Sequence, residues 1–213
     1  MEQQILHIEG TVENVMYRNE DNGYIVLDLD AGGELITVVG ELGDIEDGEG
    51  LILEGSYITH PKFGTQFKAE YCERKLPDTV INIQKYLSSG AIKGIGPSLA
   101  KRIVDVFGDR TLDIMENEPF KLSQIKGISE KKCEEIAGEV KKLFSLRCVM
   151  SYLSKYGVKS QFAMKTYQKF GDGAFDVIQS NPYILCGSGI ELDFKKADAM
   201  ADDIHIEKNS PKR

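Results

Sequence analysis

The sequence predicts an α+β multidomain chain, a small OB-like β-barrel followed by an all-α tandem helix-hairpin-helix region. Three observations predict it. Up to Cys72 the apolar residues fall in short runs rich in β-branched and aromatic side chains, separated by turn-forming clusters. From Pro77 onward a 3.6-residue period takes over. A glycine corner then recurs at Gly94, Gly127, Gly157 and Gly189, at intervals of 33, 30 and 32 residues, the spacing of stacked helical units that share a core.

The barrel is assigned to residues 1–75. Its strands are expected around Ile8, Val12 and Val15, then at Tyr24–Leu29, Leu35–Val39, Leu51–Tyr57 and Gln66–Tyr71. Asp21-Asn22-Gly23, Gly32-Gly33, Asp47-Gly48-Glu49-Gly50 and Pro61-Lys62-Phe63-Gly64 supply the turns between them. Five strands in so short a stretch suit a small closed barrel. Barrels of this type hold single strands on aromatic and basic side chains, which makes Tyr57, Phe63, Phe67 and Tyr71 candidates. Docking or wedging suits an acidic barrel better than tracking phosphates.

Pro77 marks the passage to residues 76–148, assigned to a tandem helix-hairpin-helix pair, with Asp78 or Thr79 capping a helix whose apolar face is Val80, Ile83 and Leu87. Gly90 ends that helix. Ile92 to Ile103 (IKGIGPSLAKRI) then reads as the first hairpin. Gly94 and Gly96 permit φ > 0 and close approach of another molecule, Ile95 plugs the gap between flanking helices, and Pro97 suits the first helical position. Unpaired amides at the start of the next helix, with its dipole, make a site for one phosphate. The candidate phosphate-binding residues here are Lys93, Gly94, Ile95, Gly96, Ser98 and Lys101.

The second hairpin, QIKGISEKKCEEI, replaces the second glycine with Ser129, a residue able to cap the following helix. Its candidates are Lys126, Gly127, Ile128, Ser129, Lys131 and Lys132. Residues 149–213 are assigned to further degenerate hairpin units and an exposed C-terminal linker. The unit at Gly157 keeps one glycine and several nearby lysines. The unit at Gly189 is expected to be structural, because Glu191 and Asp193 would repel phosphate. The segments Phe107–Glu118 and Phe170–Tyr183 read as helix ends and turns.

The net charge of −8 separates along the chain. Residues 1–75 carry 5 Lys/Arg against 16 Asp/Glu, whereas residues 121–169 carry 11 against 4. A locally basic middle suits a surface that follows a nucleic-acid backbone. No apolar run approaches the ~20 residues of a membrane span, and Met1–Gly10 lacks a signal pattern, so a cytoplasmic chain is expected. Four scattered cysteines without CxxC and three scattered histidines predict reduced, mostly buried thiols and no metal site. Without GxxxxGK[ST] or a catalytic constellation, this stretch is expected to have no catalytic residues of its own.

Together, IEGTVENVMYRNEDNGYIVL, THPKFGTQFKAE, YLSSGAIKGIGPSLAKRIVDVFG, QIKGISEKKCEEI and NPYIL resemble, in that order, the N-terminal region of bacterial RecD/TraA-type DNA helicases, relatives of the exodeoxyribonuclease V alpha subunit. The resemblance implies non-sequence-specific DNA binding ahead of ATP-driven motor domains that move 5′ to 3′ in repair and recombination. It implies ATP and Mg²⁺ for the parent protein only, and a monovalent cation among loop carbonyls near Ile92, Gly94 or Ile95. Implied partners are single-stranded or forked DNA, the motor domains, and single-strand-binding or recombination proteins, with no membrane. The chain stops at Pro211-Lys212-Arg213, about where such a motor would begin, and so reads as a piece of a longer protein. Two other readings remain open at this point: a Holliday-junction-binding assembly protein, which also orders a barrel before two hairpins, and a protein-interaction scaffold.

Overall fold

A computed structural model describes residues 5–187 and 189–212. Met1–Gln4, at the head of the stretch read for a signal pattern, Ser188 beside the fourth corner, and Arg213, which closes the expected linker, lie outside the described residues.

Strands β1 (Leu6–Arg18), β2 (Tyr24–Asp30), β3 (Leu35–Glu41), β4 (Gly50–His60) and β5 (Gly64–Lys75) close a barrel in the order β1-β2-β3-β5-β4. All neighbours run antiparallel except β3 and β5, which meet in parallel at Val38 and Phe67. This is the OB-like barrel expected from the strand and turn pattern. Ile25, Leu27 and Leu29 face inward at every second position of β2 and pack with Val12, Leu51, Leu53 and Phe67. Phe67 is therefore core, not the ligand-facing aromatic that composition suggested. Its position on β5 is one of the inward ones.

One charged pair is built into the barrel wall. The Glu49 carboxylate is fully buried and receives Arg74 through Nε at 2.9 Å and Nη2 at 2.7 Å, while Nη2 also donates to the Asp44 carbonyl at 2.5 Å. Burial alone would push the Arg74 guanidinium down. The adjacent Glu49 charge and its hydrogen bonds more than offset that, and hold it above its ordinary value.

Helix α1 (Val80–Ser88) starts at Thr79, whose Oγ1 accepts the Asn82 amide at 3.3 Å. Its buried residues are Ile83, Tyr86 and Leu87. Val80, expected on that face, is exposed in the first turn, and Tyr86 takes its place. Gly48, with φ 85°, lies against this helix so closely that a Cβ there would meet the Asn82 carbonyl oxygen at 2.4 Å. Lys85 also reaches Glu13 of β1 at 2.8 Å. These contacts seat α1 on the barrel.

Helices α2 (Pro97–Phe107), α3 (Thr111–Asn117), α4 (Glu130–Ser154), α5 (Ser160–Phe170), α6 (Ala174–Ser180) and α7 (Phe194–Asp203) follow. Helices α3 and α6 occupy segments in which the sequence suggested only helix ends and turns; at seven residues each they are too short to display a clear period. The chain divides into two compact units, residues 1–141 and 142–213. The second has its own core, including Val149, Leu153, Ile178, Leu185 and Met200. Lys208–Lys212 form exposed turns, with Lys212 Nζ donating to the Ser180 carbonyl at 2.9 Å.

The second unit repeats the first. Phe107-Gly108-Asp109 before α3 and Phe170-Gly171-Asp172 before α6 stand 63 residues apart, and Gly108 and Gly171 both have φ 58°. Pro119 and Pro182 then open equivalent short 3₁₀ turns. All four cysteines are free, as expected, but only Cys133 is fully buried, and Cys148 is exposed. Burial pushes the Cys133 thiol up.

Candidate nucleic-acid interface

The first corner turns at Gly94, φ 88°, where the Ile95 amide donates to the Ile92 carbonyl at 3.1 Å. The second repeats it at Gly127, φ 92°, with the Ile128 amide on the Ile125 carbonyl at 3.1 Å. In both, the isoleucine side chain is buried and plugs the corner. Ile95 and Ile128 thus have both amide and side chain committed within the fold, and bring no free donor to a ligand.

What faces outward is different. Lys93, Gly94, Gly96, Ser98 and Lys101 are exposed at the first corner, and Lys126, Gly127, Ser129 and Lys131 at the second. Gly96 caps α2 with an extended backbone, and Pro97 occupies the first turn. Among the described residues the amides of Gly96 and Ser98 have no hydrogen-bond partner, whereas Leu99 donates back to Gly96 at 3.0 Å. At the second corner the Ser129 Oγ accepts the Lys132 amide at 3.3 Å and its carbonyl accepts Cys133 at 2.9 Å. Serine thus does the capping that its position predicted. Among the described residues the amides of Ser129, Glu130 and Lys131 have no hydrogen-bond partner either, but Glu130 puts a carboxylate in the same first turn. The first turn of α2 thus carries no carboxylate beside its open amides, whereas that of α4 does.

The two corners are neighbours within residues 1–141. Arg102, from the exposed side of α2, donates through Nη1 to the Lys126 carbonyl. Lys132 reaches the other way, its Nζ so close to Gly94 that an added Cβ would stand 2.5 Å from it; it also lies 3.5 Å from Glu135. The interlock places Lys93, Lys101, Lys126, Lys131, Lys132 and Arg102 about one double corner. Sequence reasoning found all of these but Arg102, whose contribution is a contact across 24 residues with no local signature.

The second unit preserves the same device. Asp193 caps α7 by accepting the Lys195 amide at 3.0 Å, and Lys196, three residues beyond its cap as Lys132 is beyond Ser129, donates to the Gly157 carbonyl. The corner at Gly157 is itself a helix end: Gly157 donates to Ser154 at 2.8 Å and Val158 to Leu153 at 3.2 Å, a glycine-terminated cap on α4. Aligning the lysine that follows each cap would have exposed this pairing in the sequence. Among the described residues no group of three His, Cys, Asp or Glu is placed to hold a metal ion, and no helix is long and apolar enough to cross a membrane.

A barrel leading into tandem helix-hairpin-helix corners with open amides and flanking lysines defines a DNA-binding type of architecture. Comparison with known proteins agrees. Residues 6–77 match the OB-fold domain of ATP-dependent DNA helicase YrrC, residues 86–142 a SAM-like helix-hairpin-helix tandem, and residues 142–213 the helix-hairpin-helix domain of ATP-dependent RecD2 DNA helicase. The ATP-dependent RecD2 DNA helicase of Deinococcus radiodurans is 23% identical over 186 residues, covering 84% of this chain. The chain spans 26% of the length of that relative. The matches fall, in order along the chain, on barrel and helix-hairpin-helix domains described from DNA helicases of the RecD type.

Proposed function

We propose that the chain is the non-sequence-specific DNA-binding N-terminal region of an ATP-dependent 5′–3′ DNA helicase that acts in repair and recombination. The observation that carries this is the interlocked double corner at Gly94 and Gly127, with open amides and lysines facing outward. Main-chain amides and lysine ammonium groups meet phosphate oxygens, which are the same at every base pair, so recognition is of strand and shape. ATP and Mg²⁺ belong in this proposal to the parent's motor, which is also the first partner. A monovalent cation at the first corner would use the carbonyls of Ile92, Gly94 or Ile95; the Ile92 oxygen already accepts one amide, and Lys132 supplies positive charge beside Gly94.

The test is fluorescence anisotropy with forked DNA at low salt. Gly94→Val with Gly127→Val forces side chains onto left-handed backbone and displaces Lys132; Lys93→Glu with Lys131→Glu reverses charge at exposed positions and leaves the fold intact. Each pair of substitutions is expected to weaken binding by on the order of tenfold or more, with a shallower salt dependence for the charge reversals. Unchanged binding in both would refute the proposal.

A further inference from the structure

Among the described residues, three of the four glycine corners hold a cationic nitrogen on the same side of the glycine. A Cβ built on Gly94 would stand 2.5 Å from Lys132 Nζ, one on Gly127 3.3 Å from Arg102 Nη1, and one on Gly157 3.8 Å from Lys196 Nζ. In each case that nitrogen is the nearest atom outside the adjoining residues. The reach always runs between the two corners of a pair. Arg102 leaves α2, after the first corner, for the second; Lys132 leaves α4, after the second, for the first; Lys196 leaves α7, after the fourth, for the third. Arg102 donates there to the Lys126 carbonyl and Lys196 to the Gly157 carbonyl.

The fourth corner departs from this pattern. Nothing stands within 4 Å of a Cβ at Gly189, and Lys165, 63 residues after Arg102, lies over the Phe162 ring at 5.9 Å instead. The same corner carries Glu191 and Asp193. The cation is therefore missing where carboxylates already disfavour phosphate.

A corner that turns through positive φ takes carbonyl oxygens out of the helical ladder, and their partial negative charge needs a partner. A phosphate coming to the open amides meets those oxygens as well, so a positive group between them is required. We infer that Lys132 at the first corner and Arg102 at the second are built-in cations that take the place of a monovalent metal ion, each standing between the corner's carbonyl oxygens and the phosphate of a bound strand. An ammonium has three donors and a guanidinium five, so one committed to the corner leaves others for phosphate. The monovalent ion considered above does not fit beside Gly94 together with Lys132, because two positive charges at one carbonyl cluster repel. The inference rests on the DNA-binding proposal and changes what that binding requires: every salt screens it, and no particular cation promotes it.

Anisotropy of forked DNA with the 213-residue chain in potassium, sodium and tetramethylammonium chloride separates the two cases, since at equal ionic strength screening is alike and only the fit of the ion to a carbonyl cluster differs. Affinities within about twofold of one another are expected. Lys132→Met should bind about tenfold more weakly in tetramethylammonium and recover at least about threefold in potassium, which is small enough to enter beside Gly94. Lys132→Arg should keep the indifference to the ion, and Arg102→Met repeats the test at the second corner. Binding by the unsubstituted chain on the order of tenfold tighter in potassium than in tetramethylammonium would mean that a metal ion fills the corner, which overturns the inference and leaves the DNA-binding proposal standing. It is overturned too if Lys132→Met loses the same factor in all three salts, the mark of an ordinary phosphate contact, or loses nothing. Should both Met variants lose their cooperative thermal transition, the comparison of salts on the unsubstituted chain decides alone. If no salt supports DNA binding, the inference and the proposal beneath it both fall.

Discussion

At the scale of single residues, the costliest position in the barrel is Arg74. It neutralises the buried Glu49 carboxylate and caps the Asp44 carbonyl, so truncating it strands a negative charge away from water. Arg74→Leu is expected to lower stability by about 3–5 kcal/mol, measured by urea unfolding. Replacing Glu49 and Arg74 together by apolar residues of similar volume should restore much of that loss, since no lone charge remains. Neither residue was legible as a pair in the sequence, because Glu49 lies in the turn before β4 and Arg74 on β5, 25 residues apart, and both look like two more surface charges. Phe67 and Val80 show the same limit in another form. Composition flagged the first as a ligand aromatic and period placed the second on a buried face, but strand parity and the first helical turn decide otherwise. Ile95 and Ile128 were rightly singled out as part of the corners, but as plugs.

Among the elements, the two corners differ mainly in how their helices begin. Helix α2 opens with Gly96, Pro97 and Ser98 and no carboxylate, whereas α4 opens with Glu130 beside Lys131 and Lys132. Glu130 favours the helix through its dipole and opposes an incoming phosphate at the same spot. Glu130→Gln should therefore tighten binding to forked DNA on the order of two- to fivefold at low salt, with the gain shrinking as salt rises. Anisotropy titrations at two salt concentrations check this; an equal gain at both would argue against a charge effect. Strands β2 and β3 were legible nearly to their ends, β2 because its inward and outward residues alternate cleanly, whereas β4 and β5 run past the stretches that the sequence marked, into a ribbon of exposed residues. The corners were legible because glycine is needed where φ is positive. Helices α3 and α6 were not, since seven residues span barely two turns and leave the period unreadable.

For the whole molecule, the division at Lys141 and Lys142 gives the C-terminal unit a core of its own, from Leu146 to Ile206. Residues 142–213 expressed alone are expected to show helical circular dichroism and a single cooperative thermal transition. A gradual, non-cooperative loss of signal would show that this core depends on the rest of the chain. The charge asymmetry and the recurring corners were visible in the sequence. The 63-residue doubling was not, because neighbouring corners stand 33, 30 and 32 residues apart and the longer repeat spans two of them. The doubling carries a historical consequence. An ancestral gene segment encoding one pair, copied head to tail, would hand the second copy every fitting of the first. Lys196 on the Gly157 carbonyl, 64 residues after Lys132, would then hold the same place relative to its helix cap as Lys132 does beside Gly94, in a corner where Glu191 and Asp193 leave little welcome for an anion.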